Sequence, residues 1–168
     1  MRESLAATHH ANLQWNPDTE RAIDKVAASG LCDALGILLW KAKYMLESPA
    51  YREAEKQLRV RVKDQFKREA WLILEKVTEQ GLREYLSDRC NACLGAKEMI
   101  VGSRRIECEV CSGSGTRKFE DHERATAMGL SLGRVKTLQR HFSWLSKEIW
   151  TLDDLVGRQI KYFVGRYD

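Results

Sequence analysis

The chain has 168 residues, 43% of them hydrophobic and 31% charged, with a formal net charge of +4. No apolar run approaches the ~20 residues a membrane span needs, so the composition describes a globular chain of one or two small domains and excludes membrane insertion. Only two prolines occur, with no low-complexity segment, so no flexible linker is expected.

Residues 1–86 read as helices. Asn16 is a cap with Pro17 at the first helical position, Asp18 and Glu20 suit the positive end of the helix dipole, and Gly30 ends the helix after Ser29. Leu31, Ala34, Leu35, Leu38, Leu39, Ala42, Met45 and Leu46 follow the i, i+3, i+4, i+7 rule and predict a second helix with one wide apolar stripe. Ser48-Pro49 stops it and caps a third. The stripe Tyr51, Ala54, Leu58, Val62, Phe66, Ala70, Ile73 and Val77 carries that helix without a break to about Gln80, a rod of about 45–50 Å. Its opposite face bears Arg59, Arg61, Lys63, Lys67 and Arg68 against the single acid Asp64. Two readings stand, a contact surface for phosphate or an acidic protein and a solvated face; charge runs on helices usually serve solubility, which favours the second. Cys32 adjoins the apolar stripe outside any ligand spacing and reads as a small buried residue.

The next stretch carries the strongest motif. Cys90-Asn-Ala-Cys93 and Cys108-Glu-Val-Cys111 are two Cys-x-x-Cys pairs with a short segment between them, the spacing of a tetrahedral zinc site. Two thiolates three positions apart on a tight knuckle can face one ion, and a second knuckle brought back by a hairpin completes four sulfurs. Lys97 to Val101 can run out as a strand, Gly102-Ser103 can turn, and Arg104 to Glu107 can return. Glycines follow each knuckle: Gly113 and Gly115 after the second, Gly95 alone after the first, where Lys97 takes the other position. Such a site is closed and structural, because no ligand position is left for substrate. A disulfide pair competes with it, but nothing at the N-terminus resembles a secretory signal; a reducing cytoplasm is expected, and there metal is favoured. Four thiolates would remove four charges and one Zn²⁺ return two, leaving +2, so the distribution of charge matters more than its total.

From Asp121 to Arg140, Ala125, Gly129 and Val135 have the mechanical roles of a helix-turn-helix: a small residue where two helices touch, glycine at the turn, and a β-branched anchor in the second helix. Met128, Leu130 and Leu138 would point inward, leaving Ser131, Leu132, Gly133, Lys136, Thr137 and Arg140 outward, with Arg134 flanking. No acid occurs between Arg124 and Lys147, the charge footprint of a helix lying in a DNA groove. Lys136, Thr137 and Arg140 are the expected base-reading residues, Arg124 and Arg134 the phosphate-holding ones, and Ser131 a further contact. Against this stand Arg124 in a usually apolar position and the helix cost of Gly133; an ordinary helical hairpin is the alternative. A last helix is expected from a capping box at Thr151 and Asp154, with Leu152, Leu155, Val156, Ile160, Phe163 and Val164 as its apolar face.

The fold class expected is mainly α: a helical domain over 1–86 that is a candidate protein-docking half, a zinc-binding module with a β-hairpin over 87–118, and a helix-turn-helix DNA-binding region over 119–168. His9, His10, His122 and His141 have no spacing with carboxylates or cysteines that would make a nucleophile and base, and no phosphate loop occurs, so an enzyme is not expected. His122 becomes a metal ligand only if one cysteine is unused.

This order of parts resembles the late-gene antitermination protein Q family of lambdoid phages, in arrangement over roughly residues 50–160 and specifically across Cys90–Cys111 and Ala125–Arg140. That family's first knuckle carries both glycines, and this chain is shorter at its N-terminus; neither difference removes a ligand. The resemblance implies binding to double-stranded DNA in a phage late promoter, engagement of paused RNA polymerase with its sigma factor, and read-through of terminators in a bacterial host cytoplasm. Two other resemblances are weaker. Cys108–Gly115 is similar to a knuckle of DnaJ-type co-chaperones, but those carry four knuckles and a His-Pro-Asp motif absent here, and other helix-turn-helix regulators share the second motif alone.

Overall fold

The computed structural model describes residues 17–101 and 103–164, in which apolar periodicity builds seven helices and the cysteine-rich stretch adds one hairpin. The expectation for Asn16 lies outside the described residues, as do those for His9, His10 and Gly102. Helix α1 (Pro17–Ser29) buries Ala22, Ile23 and Val26 and stops at Gly30. Helix α2 (Ala34–Tyr44) starts where the Asp33 carboxylate accepts the Leu35 N–H at 2.9 Å, so Leu31 and Leu46 fall outside it and are exposed.

The long third helix is not formed. Helix α3 (Ser48–Gln65) ends at Phe66, the chain turns over Phe66 to Ala70, and α4 (Trp71–Leu86) runs back along it. Arg59 of α3 meets Glu75 of α4 at 3.1 Å, whereas one continuous helix would hold those residues about 24 Å apart. No glycine or proline marks the break; tertiary packing makes it. Phe66 inserts beside His141 (ring centroids 4.2 Å) and edge-on to Trp144 (5.6 Å), and the reversal delivers Leu74, Val77, Thr78 and Leu82 to the core. Ala70, counted in the apolar stripe, is exposed in the turn. Ser48 is helical and does not cap; Glu47 stands at the cap and makes no side-chain cap bond.

Helices α5 (Asp121–Met128) and α6 (Leu132–Thr137) are short and joined by a turn at Gly129. Ala125, Met128, Val135 and Leu138 are buried beneath them. The second of these helices is shorter than expected, because the chain leaves helical geometry at Leu138 and restarts as α7 (Gln139–Val164, 26 residues). No new helix begins at Thr151. Its hydroxyl donates back to the Lys147 carbonyl at 2.7 Å, a bond a mid-helix threonine makes without interrupting the spiral.

The described residues divide into two units: 17–86 with 121–164, and 87–120. The first is all helical. One core joins Leu35 and Leu39 of α2, Leu58 of α3, Leu74 of α4, Val135 of α6, and Leu145 and Ile149 of α7; a second joins α1 to Trp40, Val156 and Ile160. The unit 87–120 holds antiparallel strands β1 (Glu98–Val101) and β2 (Arg104–Glu107), registered Glu98 to Glu107, with the four cysteines as its buried centre. No helix among the described residues is long and apolar enough to cross a membrane.

Gly129 and Gly133 separate conformational need from its absence. Gly129 has φ +60°, which L side chains disfavour, while Gly133 is helical and an added methyl group would meet nothing within 4 Å. Gly129→Ala is expected to destabilise by about 1–2 kcal/mol, and Gly133→Ala to stabilise by up to about 1 kcal/mol. Urea unfolding of the two variants against wild type measures the contrast, and equal effects would refute it.

Candidate metal centre and nucleic-acid interface

The four cysteines converge through a repeated backbone design. The Cys90 N–H donates to the Gly115 carbonyl at 2.9 Å and the Cys108 N–H to the Lys97 carbonyl at 2.8 Å, so each knuckle is anchored on the far end of the other. Within the knuckles, Ala96 N–H to Cys93 O (2.8 Å) repeats as Ser114 N–H to Cys111 O (3.1 Å). Leu94, Gly95 and Lys97 have positive φ, as have Ser112, Gly113 and Gly115. At Gly115 the fold demands glycine twice over, because a Cβ would stand 2.8 Å from the Gly95 carbonyl oxygen. Lys97 accepts φ +68° without that help, a strain of about 1–2 kcal/mol.

All four sulfurs are buried and lie within 4.8 Å of one another, with Cys90 to Cys108 at 3.9 Å and Cys93 to Cys111 at 3.7 Å. Those separations are far beyond a disulfide bond of about 2.05 Å, and the cysteines are free. Four thiols facing one point can hold a metal ion with every position filled by sulfur. Their protons are unequally held. Burial pushes the Cys111 thiol up, but the Gly115 N–H at 3.2 Å and the neighbouring sulfurs bring it down to about 7. For Cys108 the backbone N–H of Cys111 pulls down, while burial and the Cys111 and Cys93 sulfurs push it up to about 11. A cation binding all four must displace the remaining protons, which makes uptake pH-dependent. With four sulfurs converging, the condition that would recruit His122 does not arise.

The residues singled out for DNA fall in three places. Ser131, Arg134, Lys136 and Thr137 lie together on α6 or at its start. Ser131 caps the helix, its Oγ accepting the Arg134 N–H at 3.2 Å. Arg134 donates to Glu69 Oε1 at 2.6 Å and to the Thr137 hydroxyl at 3.3 Å, and Thr137 donates to the Arg134 carbonyl at 2.7 Å. Lys136 is exposed and meets no carboxylate among the described residues. Arg140 belongs to α7, with its guanidinium 5.6 Å from the Phe66 ring centroid.

Arg124 is turned inward. Its Nε and Nη2 both donate to Glu84, at 2.8 Å each, and its guanidinium stacks 4.5 Å from the Phe142 ring centroid. That explains an arginine in a usually apolar position: the forked pair satisfies the charge while the aromatic ring packs against its face. Two arginines of the basic face of α3 are similarly committed. Arg59 pairs with Glu55 and Glu75, and Arg61 bridges Asp33 and Glu148. Glu55 stands four residues before Arg59 on the same helix, but nothing in the sequence marked Glu75, Asp33, Glu148 or Glu84 as partners, since each lies on another helix or turn. Cys32, read as buried, is only half-buried beside the second core. No protein family, curated protein or solved structure matches this chain.

Two outcomes follow from these contacts. Arg124→Ala leaves Glu84, 14% exposed, with the Gln80 amide at 3.0 Å but without its arginine and is expected to destabilise by about 3 kcal/mol, whereas the Arg124→Met/Glu84→Met pair restores much of the loss. Urea unfolding of the single and double variants decides this, and a neutral Arg124→Ala would refute it. Cys90→Ser or Cys108→Ser is expected to abolish metal uptake and unfold residues 87–120. Metal analysis with amide hydrogen exchange would disprove that if either variant kept both its ion and its protection.

Proposed function

We propose that the chain is a zinc-stabilised DNA-binding protein acting in transcription antitermination, with α6 as the DNA-facing element. Zinc is the metal that suits four buried thiolates: at Zn–S of about 2.3 Å a tetrahedron has S···S edges of about 3.8 Å, close to the 3.7 and 3.9 Å separations. Its role is structural, because the sulfurs leave no open position.

The observation that carries the DNA reading is the turn between α5 and α6. Ala125 and Val135 are buried where the helices meet, Gly129 adopts φ +60° between them, and the stretch from Ala125 to Ser146 holds no carboxylate. Lys136 lies on the exposed side beside Gly133, where no side chain would obstruct a groove. Antitermination itself, with RNA polymerase and its sigma factor as partners, rests on the resemblance in the order of helices, paired knuckles and helix-turn-helix pattern. A short reading helix with so few cations binds weakly at physiological salt, which suits a factor held at a promoter by a second contact to the polymerase.

The test is in vitro transcription from a late promoter through a downstream terminator, with zinc-loaded protein. Added protein is expected to raise read-through severalfold, and Lys136→Glu to abolish the gain while preserving zinc content. Repression of initiation without read-through would make the protein an ordinary regulator and overturn the antitermination reading.

A further inference from the structure

A cleft of about 460 Å³ opens between the Phe66–Ala70 turn and the start of α7, lined by Phe66, Arg68, Glu69, Arg140 and His141, among others. Its charges are unevenly matched. Of its two carboxylates, Asp64 takes Lys67 at 2.9 Å and Glu69 takes Arg134 at 2.6 Å. Arg68 and Arg140 are both exposed, and no described carboxylate pairs with either. The cleft therefore carries two uncompensated guanidinium groups.

The shape favours a phosphate over a base. The Phe66 ring that floors the cleft already packs against His141 and Trp144, which leaves no aromatic slot for stacking. Burial, with Arg140 and Arg134 adding to it, holds the His141 imidazole below its ordinary pKa against the pull of Glu69, so the back wall is neutral. Guanidinium groups are suited to bidentate capture of phosphate oxygens. The cleft is also continuous with α6, because Arg134 reaches from that helix to Glu69 in the turn. We propose that this cleft seats a backbone phosphate of the same DNA duplex that α6 meets, with Arg68 and Arg140 as its ligands. The proposal rests on the DNA-binding reading of α6, and adds to it a contact from the α3–α4 turn that reads no base.

The experiment measures affinity of the full-length, zinc-loaded chain for two unrelated 30-base-pair duplexes between 50 and 200 mM salt. Arg68→Ala is expected to weaken binding to both duplexes alike, by about five- to tenfold near 0.1 M salt, and to flatten the log–log salt slope by about one. Arg68→Lys should keep most of the slope, and Lys56→Ala, an exposed cation elsewhere on α3, should leave both measures unchanged. If Arg68→Ala binds as wild type does while Lys136→Ala binds more weakly, the cleft is overturned and the α6 reading survives. Failure of the wild type to bind either duplex overturns both. Preference for single-stranded RNA of equal length would likewise reject a duplex phosphate as the occupant.

Discussion

One apolar stripe on α7 holds the helical unit together. Leu138 precedes the helix, and Phe142, Leu145, Ile149, Leu152, Val156 and Ile160 recur along it at intervals of three and four. The row is long enough to serve both cores: its first half closes over α2, α4 and α6, its second over α1 and Trp40. Each such side chain contributes about 1.5–3 kcal/mol relative to exposure, and α2 meets the row in both cores, through Leu35 and Leu39 in the first and Trp40 in the second. The stripe is not wholly apolar. Asp153 is buried within it and is stabilised by the Tyr85 hydroxyl, which donates at 2.6 Å, and by the Tyr44 hydroxyl at 3.3 Å.

Local signals were legible and tertiary ones were not. The knuckle spacing located all four buried sulfurs, Gly30 and Gly129 marked chain reversals correctly, and the hairpin strands lie within a residue of their expected bounds. These features are set by covalent spacing and by which residues tolerate positive φ, both written in a few consecutive letters. The break at Phe66 was hidden because FKREA contains no breaker and keeps the helical period; only the partners of Phe66, some 75 residues downstream, decide it. Thr151 illustrates the converse: a pattern that caps a helix when it stands first is silent when the preceding turn is already formed.

Charge was the least legible quantity. Basic residues on α3 and α5 looked alike in sequence, yet Arg59, Arg61 and Arg124 are spent on Glu55, Glu75, Asp33, Glu148 and Glu84, while Arg68, Lys136 and Arg140 face solvent. The difference lies in which acids the fold brings near each cation, and apart from Glu55, on the same helix as Arg59, these come from other parts of the chain. A basic composition therefore overstates the surface available to an anionic partner, although Arg68, Arg140 and Lys136 stay exposed at the α3–α4 turn, the start of α7 and α6.

The two knuckles and the stripe of α7 differ in how far their contacts reach along the chain. Every pairing within residues 87–120 is local: Cys90 to Gly115, Cys108 to Lys97, Asp88 to Arg117. The face of α1 instead waits for Val156 and Ile160, about 130 residues later. On a ribosome, where residues emerge in order and short-range contacts form first, the cysteine hairpin can close while α1 to α4 still lack their lid. Synthesis thus passes through a state with a closed sulfur cluster and an exposed helical core, and the emergence of α7 ends that exposure.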